Sequence, residues 1–394
     1  MLAMQDTLQP TLKHFTDCIL QASQTGQPLR LRGGGTKDFL GQSLQGEVLD
    51  TTTYSGILSY EPSELVITAR CGTPLAEVEA ALADKGQSFA FEPPHFGAGA
   101  TIGGMVAAGL SGPARASVGT VRDFVLGARV INGKGEHLTF GGQVMKNVAG
   151  YDVSRLLAGS WGQLGLITEV SLKVLPVAPG EATLVCAGVS QAQALTLINQ
   201  WGGQPLPLNA SAWVHDTSAT PAQDFFFVRL RGAVAAVDAA VTKMSAEVQA
   251  LGAQVRILDP AQAAADWKAS GEQTLDFFQA PTEQDCLWRL SVPQTAPVLE
   301  VCANGAICAQ YMEWHGAQRW LWAPAADAAH VREAAVKAGG HATLFRTSAA
   351  SQQTFGDVDK QAGVYTPLNA VQQRIQNELK KQFDPAGIFN PGRI

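Results

Sequence analysis

Three consecutive glycines, Gly33 to Gly35, follow directly after a short alternating segment from Leu29 to Arg32, and they most constrain how this chain can fold. Glycine has no Cβ, so this segment can adopt positive φ and turn successive backbone N–H groups toward one point. That geometry predicts a loop that surrounds a phosphate group. A glycine-rich surface turn is the alternative, and a lone triple glycine does not decide between the two.

Two further glycine-rich segments lie in the same half of the chain, PPHFGAGATIGG at residues 93–104 and GSWGQLG at residues 159–165. Three such segments in one domain-sized stretch indicate one extended ligand. The first of these two resembles a dinucleotide fingerprint, but Gly97, Gly99 and Gly103 are one residue too widely spaced, and no acidic residue follows in a strand about twenty residues on. We therefore exclude a nicotinamide site. Tight packing of a helix start against a sheet remains the alternative interpretation.

Length and composition predict two compact domains and limit the possible partners. At 394 residues the chain is longer than one average domain, and 46% hydrophobic and 16% charged residues are typical of a folded protein. The net charge of −6 and the lack of any lysine/arginine run argue against nucleic acid and against an anionic membrane surface. No apolar run approaches the roughly 20 residues that span a bilayer, and the first residues do not form a secretory signal. We expect a cytoplasmic protein without a direct membrane span.

The cysteines predict no metal site. Six are scattered along the chain without a CxxC motif or nearby histidines, and the closest pair, Cys302 and Cys308, lacks the further ligands that zinc or an iron–sulfur cluster needs. We expect most of them to be buried thiols in a reducing compartment.

Periodicity in the first half predicts short strands and helices. The predicted helices are one that ends at Gly26, one with Thr73 as N-cap and Pro74 as its first residue, and a short one at 152–158 capped by Asp152. The predicted strands are 29–32, 48–51, 65–70, 88–91, 125–131 and a long one at 164–175. A two-residue hairpin is predicted at Asn132-Gly133.

The second half predicts two similar units of alternating strands and helices. The predicted strands are 182–189, 224–231, 255–258, 286–292, 319–322 and 341–346, and the predicted helices are 190–201, 233–251, one near Ala296, and 326–337. Two such units indicate an antiparallel sheet backed by helices, which is a usual α+β layering.

The order of these motifs resembles the FAD-binding domain of the vanillyl-alcohol oxidase type, the PCMH-type flavoproteins. The resemblance lies in RGGGTKDFLG, ARCGTPLAEVEAAL, EPPHFGAGATIGGMVAAGLSGP, VLGARVINGKGE, KNVAGYDVSRLLAGSWGQLGLIT and the final FDPAGIFNPGRI. More narrowly, the chain is similar to the smaller FAD-binding subunits of bacterial glycolate oxidases in SGILSYEPSELVITARCGTPL, GTVRDFVLGARVINGKGEHLTFGGQVMKNVAGYD, AGGHATLF and FNPGRI.

This resemblance implies an α+β fold with three parts. They are a PCMH-type FAD-binding domain at residues 1–178, an α+β cap domain with an antiparallel sheet at residues 179–382, and a C-terminal segment at residues 383–394 that returns to the flavin site.

The resemblance also implies which residues bind FAD. The first loop matches the one that holds the pyrophosphate, the second passes the flavin and pyrophosphate, Ile167 matches a position at the adenine end, and Asn390 matches one near the flavin ring. The predicted FAD-binding residues are Arg32, Gly33, Gly34, Gly35, Thr36, Phe39, Leu40, Gly41, Gly99, Ala100, Thr101, Gly103, Gly104, Gly109, Ser111, Ile167 and Asn390.

The attachment of the flavin is expected to be noncovalent. Relatives with covalently bound flavin often use a histidine within the first loop, where this chain has Thr36. His95 precedes the second loop, but its position after two prolines is typical of a turn residue.

Catalytic residues are harder to predict. Oxidation of a 2-hydroxy acid at a flavin needs a base for the hydroxyl proton and a cation for the carboxylate. The candidates in the cap domain are His315, His341, Arg289 and Arg346, and each is also compatible with a structural role. Of these, His341, Arg289 and Arg346 are the predicted catalytic residues. The larger flavin subunit of this family carries an HxxGDGxxH motif, which this chain lacks.

Three functional hypotheses stay open. The chain could be a redox subunit of a glycolate-oxidising complex that produces glyoxylate, with a larger FAD subunit and an iron–sulfur subunit as the partners implied by the resemblance. That complex would place it in the cytoplasm or, through its partners, at the periphery of the inner membrane. It could instead be a self-sufficient FAD-dependent dehydrogenase for a small 2-hydroxy acid, or a non-catalytic FAD-binding scaffold.

Overall fold

The structure is a computed structural model, and it describes residues 2–142, 152–217, 220–301, 310–353 and 358–393. Cys302, Cys308 and residues 143–151 of the motif quoted above lie outside the described residues.

The first half of the chain is rich in short elements. In chain order they are α1 (Leu2–Thr25), β1 (Leu29–Arg32), β2 (Glu47–Asp50), β3 (Ile57–Glu61), β4 (Val66–Arg70), α2 (Leu75–Ala83), β5 (Gln87–Ser88), α3 (Ile102–Ala108), α4 (Arg115–Val118), α5 (Val121–Phe124), β6 (Val125–Ile131), β7 (His137–Gly141), β8 (Leu166–Lys173) and β9 (Leu175–Pro176).

The second half has longer strands and helices. These are β10 (Gly180–Ala187), α6 (Gln191–Gly202), β11 (Leu208–Asp216), β12 (Gln223–Gly232), α7 (Val234–Gln249), β13 (Gln254–Ile257), α8 (Pro260–Glu272), β14 (Asp285–Ser291), β15 (Gln310–Glu313), β16 (Gln318–Pro324), α9 (Ala328–Lys337), β17 (His341–Arg346), α10 (Ala349–Gln353) and α11 (Ala370–Phe383).

The chain divides into two compact units. The first unit comprises Met1–Ser111, Gly119–Val177 and Pro367–Ile394, and the second comprises Gly112–Val118 and Ala178–Thr366. Residues 112–118 thus belong to the second unit, and the C-terminal part of the first unit begins at Pro367. The domain ranges expected from the sequence stay a prediction.

The first unit is built on an antiparallel sheet with the strand order β3-β4-β8-β6-β7. Six of the eight residues of β8, the middle strand, are buried, including the consecutive residues 166–168 and 170–172, so both faces of this strand are covered. Strands β1 and β2 form a separate parallel pair, and Leu29 at the start of β1 bridges to Phe389 near the C terminus. Helix α1 packs Phe15, Ile19 and Ala22 into the core around this pair.

The second unit contains an eight-stranded sheet with the order β13-β10-β12-β11-β15-β16-β14-β17. The strands from β10 to β13 and those from β14 to β17 repeat one pairing pattern in mirror order, and the two halves join where β11 pairs with β15. Each half resembles a split βαβ arrangement. The prediction of two similar units that share an antiparallel sheet is therefore confirmed.

Helix α6 shows how the sequence specifies the layer behind this sheet. Ser190 and Gln193 form a capping box at its start, as expected for Ser190 as N-cap. One face of the helix then buries Ile198 and Trp201 against the sheet, where the Trp201 indole stacks on Phe226 with 6.1 Å between ring centroids.

Several predictions for the first unit were wrong because side chains form hydrogen bonds that the local sequence pattern does not indicate. Thr73 does not cap α2: its hydroxyl accepts from the Gly56 amide at 2.9 Å and donates to the Gly56 carbonyl, and Pro74 takes the N-cap position. The hairpin after β6 has a five-residue loop, because the Asn132 side chain accepts from the amides of Lys134 and Glu136, both at 3.0 Å.

Other predicted elements are shorter or absent. The strand expected at 88–91 ends at Ser88, since the following chain turns to pack Phe91 against Phe124. The helix expected at 152–158 is a single 3-10 turn, Ser154–Leu157, and Asp152 accepts from the Ser154 hydroxyl instead of capping it. Among the described residues 292–301 there is a turn at Pro293 and no helix near Ala296.

A carboxyl group is buried in the second unit at the end of β15. Glu313 is 6% exposed and accepts from the Trp320 indole at 2.9 Å and from the Gln318 side-chain amide. Burial raises the pKa of Glu313 to about 7, against the opposing effect of these hydrogen bonds and of Arg289.

We predict that Glu313 makes the second unit less stable as the pH rises. Between the ordinary carboxyl pKa of 4.5 and about 7, the folded state keeps a proton that the unfolded state releases, so unfolding becomes easier as pH increases through this window. Glu313→Gln should remove this dependence, which amounts to up to about 3 kcal/mol above pH 7. Urea unfolding at several pH values, followed by tryptophan fluorescence, measures it, because all tryptophans except Trp161 lie in this unit. Equal pH slopes for the two proteins would contradict the prediction.

Candidate functional site

The first two glycine segments meet in the first unit. A Cβ built on Gly34 would lie 1.6 Å from the carbonyl oxygen of Gly99, and one built on Gly33 would lie 2.3 Å from the Thr101 hydroxyl oxygen. No L-residue with a side chain fits at such separations, so the glycines allow two backbone segments to pass each other in direct contact.

The triple glycine leaves its backbone donors available. Within the described part of the chain, the amides of Gly33, Gly34 and Gly35 donate no hydrogen bond, and Gly35 has a φ of +71°. Beside them, the Asp38 carboxylate accepts from the guanidinium groups of Arg32, at 2.9 Å, and Arg30. Adjacent free amides form an anion-binding concavity.

A groove of about 120 Å³, partly open to solvent, runs along this loop. It is lined by the first two glycine segments, the start of β8 and the C-terminal segment. The predicted FAD-binding residues that line this groove are Arg32, Gly33, Gly34, Gly35, Thr36, Thr101, Gly103, Gly104, Ile167 and Asn390.

The remaining predicted residues are not among those that line this groove. These are Phe39, Leu40, Gly41, Gly99, Ala100, Gly109 and Ser111. Phe39 packs edge-on against Phe96, the Ser111 hydroxyl accepts from the Val121 amide at 3.2 Å, and a Cβ on Gly109 would lie 2.8 Å from the backbone of Gly159.

The C-terminal segment is fastened to the first loop. The Asn390 side chain accepts from the Leu31 amide at 2.8 Å and donates to the Trp161 carbonyl at 2.6 Å. The guanidinium of Arg393 donates to the carbonyl oxygens of Lys37 and Gln42 and lies 5.3 Å from the Trp161 ring centroid. These contacts hold β1, and the triple glycine that follows it, against the segment at 161–163.

Several residues of the groove were not predicted. They are Arg30, Leu31, Lys37, Asp38, Leu44, Thr51, Cys71, Ala107, Ala108, Trp161, Gly162, Gly165, Leu166 and Arg393. Gly162 and Gly165 belong to the third glycine segment and Arg393 to the C-terminal motif, so both signals were present in the sequence. Thr51 and Cys71 reach the groove only through tertiary packing and carry no local signal.

Of the nucleophilic side chains Cys71 and His95, the first is protonated and the second does not line the groove. Burial raises the pKa of the Cys71 thiol to about 12, so this group stays protonated at neutral pH. The His95 imidazole contacts the Glu79 carboxylate at 2.8 Å, and His95 is not among the groove residues.

The three predicted catalytic candidates come together in the second unit. The guanidinium carbons of Arg289 and Arg346 lie 5.3 Å and 5.7 Å from the centroid of the same ring, Phe345. His341 lies at the other end of β17 and is partly open to solvent; the partial burial of its ring and, second, the charge on Arg289 lower its pKa. Arg346 also donates to the Gln273 side chain.

Two further findings concern metals and membranes. Among the residues that the structure describes, no group of three or more His, Cys, Asp or Glu side chains could hold a metal ion. No described helix combines the length and the apolar character needed to cross a membrane.

Comparison with known proteins identifies the cofactor. A family model for an FAD binding domain matches residues 11–141. A solved structure of alkyldihydroxyacetonephosphate synthase superposes with a TM-score of 0.67 at 15% identity, covering 96% of this chain and 74% of that one. The predicted fold, a PCMH-type FAD-binding domain followed by an α+β domain, is therefore confirmed, and the cofactor is FAD.

Two curated relatives carry the comparison further. The glycolate oxidase subunit GlcD of Bacillus subtilis is 32% identical over 160 residues, which is 40% of this chain and 34% of the relative. The glycolate oxidase subunit GlcE of Escherichia coli is 42% identical over 374 residues, which covers 95% of this chain and 94% of the relative. The chain therefore belongs to the family of the glycolate oxidase subunit GlcE, a family of FAD-binding oxidoreductase subunits.

Proposed function

We propose that this chain is the FAD-binding subunit of a complex that oxidises glycolate to glyoxylate. The observation that supports this most strongly is the full-length similarity to GlcE, which extends through both units. The groove of the first unit is compatible with this reaction. So are Arg289 and Arg346 of the second unit, whose guanidinium groups both lie near the Phe345 ring.

The groove fits the diphosphate of FAD. Gly33, Gly34, Gly35 and Thr36 would hold the pyrophosphate, because unused amides on a glycine turn are donors suited to phosphate oxygens. Thr101, Gly103, Gly104, Ile167 and Asn390 would line the rest of the cofactor site. When bound, FAD supplies a two-electron acceptor for substrate oxidation.

Noncovalent binding of FAD is part of this proposal. The Cys71 thiol is protonated, and His95 is not among the residues that line the groove, which supports noncovalent binding.

Substrate oxidation needs a group that accepts the hydroxyl proton, and we assign this role to His341. Burial and, second, the nearby charge of Arg289 lower the pKa of this histidine, so its imidazole is neutral at neutral pH and can accept a proton. Arg289 and Arg346 would supply the positive charge that the substrate carboxylate needs.

Two partners are proposed. GlcE and GlcD are both named as subunits of glycolate oxidase, so we propose a larger FAD subunit of the GlcD kind as one partner. An iron–sulfur subunit as the electron acceptor is proposed from the sequence resemblance alone. The chain would then work in the cytoplasm or, through these partners, at the inner membrane.

We predict that Gly34→Ala abolishes stable FAD binding. Its Cβ would overlap the Gly99 carbonyl oxygen, whose backbone cannot move without separating the two loops. FAD affinity should fall by at least about tenfold, roughly the loss of one hydrogen bond to a charged group. The flavin-to-protein ratio of the purified full-length protein and titration with free FAD measure this.

Gly99→Ala is the matched control across the same contact. A Cβ on Gly99 would lie 3.4 Å from its nearest neighbour, the Gly34 carbonyl oxygen, which is ordinary van der Waals contact. This variant should keep most of its FAD. Equal retention by both variants would show that the two loops do not hold the cofactor by close backbone contact.

Acid precipitation tests the mode of attachment. Because Cys71 stays protonated and His95 does not line the groove, we expect the flavin to appear in the supernatant and the protein pellet to be colourless. Colour that stays in the pellet would mean a covalent bond.

Anaerobic addition of glycolate tests the proposed function itself. We expect flavin absorbance to fall when the chain is purified together with its partner subunits, and to stay unchanged for the chain alone. A fall in the isolated chain would identify a self-sufficient 2-hydroxy-acid dehydrogenase. A flavin that keeps its oxidised spectrum in both preparations would identify a scaffold subunit and refute the proposal.

A further inference from the structure

Helix α11 of the first unit carries an apolar stripe that is covered at one end only. The stripe recurs every four residues, so it lies on one face of the helix, and it consists of Val371, Ile375, Leu379 and Phe383. At the C-terminal end, the Phe383 ring packs against Phe140 with 6.1 Å between centroids. Toward the N-terminal end the stripe is open to solvent: Ile375 is 53% exposed and Val371 is 59% exposed.

The exposure of this stripe is unusual for a helix of this length. A helix of 14 residues gains most of its stability in water by packing its apolar face against other parts of the protein. No residue of α11 is buried. Single exposed apolar side chains are common, whereas a continuous apolar surface marks a site of interaction with another protein.

The stripe borders a groove of about 260 Å³ between α11 and the segment at 156–164, both in the first unit. The walls of this α11 groove are mostly apolar, and they include Leu156, Ser160 and Leu164 on one side and Ile375, Leu379 and Lys380 on the other. The exposed Leu156 continues the apolar surface beyond the helix. The groove and the stripe therefore form one surface that a partner can cover.

Two polar groups of the α11 groove lack partners. The Lys380 ammonium is partly buried, and within the described chain it forms neither a side-chain hydrogen bond nor an ion pair. Burial lowers the pKa of Lys380, and the Asp384 charge acts in the opposite direction. The buried Ser160 hydroxyl has no hydrogen-bond partner among the described residues. A protein that covers the groove is therefore favoured if it places a carboxylate opposite Lys380.

The charges of α11 favour a different protein over a second copy of this chain. The helix carries three cationic side chains, Arg374, Lys380 and Lys381, and one carboxylate, Glu378. A symmetric dimer through the α11 groove would use the same surface on both copies and would bring two positively charged helices together. A partner with an apolar patch and acidic groups beside it avoids this repulsion.

We propose that the α11 groove binds the larger FAD subunit of the oxidase, through apolar side chains of that subunit and a carboxylate that pairs with Lys380. This inference rests on the proposed function, in which this chain is one subunit of a complex. The larger FAD subunit is the partner that the relatives support, because GlcE and GlcD are both named as subunits of glycolate oxidase. The inference adds the surface through which the two subunits join.

Binding of the purified larger FAD subunit to the full-length, FAD-loaded chain tests this surface, and biolayer interferometry measures the affinity. Ile375→Asp places a carboxylate in the stripe and should weaken binding roughly ten- to hundred-fold, because that charge would lose its water against apolar groups. Lys380→Gln removes the proposed ion pair. It should weaken binding roughly three- to tenfold and make the affinity less dependent on salt concentration.

Two further variants make the test specific. Gln373→Asp is the matched control, because it adds the same charge to the same helix at an exposed residue that does not line the groove, and its affinity should be unchanged. Val371→Asp is a second change within the stripe. Val371 is the second residue of α11, where a carboxylate stabilises a helix, so this variant decides if Ile375→Asp loses helix by circular dichroism. FAD content should be the same in all variants.

The outcomes separate this inference from the proposed function. Equal affinity of the unaltered chain, Ile375→Asp and Val371→Asp for the larger subunit would overturn the inference and leave the proposed function intact. A dimer of the chain alone that Ile375→Asp abolishes in light scattering would assign the groove to a second copy. Variants that lose binding only to an iron–sulfur subunit would assign the groove to that subunit, and either result overturns the inference. An unaltered chain that binds neither partner subunit would refute the proposed function itself.

Discussion

The direct contact between the Gly34 backbone and the Gly99 carbonyl oxygen is the constraint on which the cofactor site depends. The two segments are far apart in sequence, and only glycine at position 34 allows them to approach this closely. The approach places Thr101 beside Gly33 and leaves the amides of the triple glycine facing a groove that both segments line. The groove can therefore exist only while these two backbone segments remain in contact, and its phosphate-binding character follows from that.

A second set of contacts keeps the first loop in place from the other end of the chain. The Leu29 amide donates to the Ile388 carbonyl at 2.7 Å, and the Asn390 amide donates to the Leu29 carbonyl at 2.9 Å, so the C-terminal segment continues the short β1–β2 pair. The buried Arg393 then ties this segment to the loop after the glycines. The final residues are thus part of the proposed cofactor site, and this explains why a sequence motif at the C terminus accompanies glycine motifs near the N terminus.

The sequence predicted the glycine loops, the repeated strand pattern of the second unit and most helices, because these depend on local residue preferences and periodicity. It failed where tertiary contacts, or side-chain hydrogen bonds within a loop, determined the local structure. Thr73 is a residue type that favours the N-cap position, but its hydroxyl accepts a hydrogen bond from the Gly56 amide. Asn132 followed by Gly133 is typical of a two-residue hairpin turn. Its side chain instead accepts hydrogen bonds from the amides of Lys134 and Glu136 and so stabilises a longer loop. For Asn390 the motif was visible, yet its role in bridging Leu31 and Trp161 depends on residues that only the folded chain brings together.

The most direct test of this account is the position of the pyrophosphate in an experimental structure of the FAD-bound protein. We predict that its oxygens lie within hydrogen-bond distance, about 2.7 to 3.2 Å, of the backbone nitrogens of Gly33, Gly34 or Gly35, with the Gly99 carbonyl still against Gly34. A pyrophosphate held by other residues, or loops that have separated around the cofactor, would contradict it.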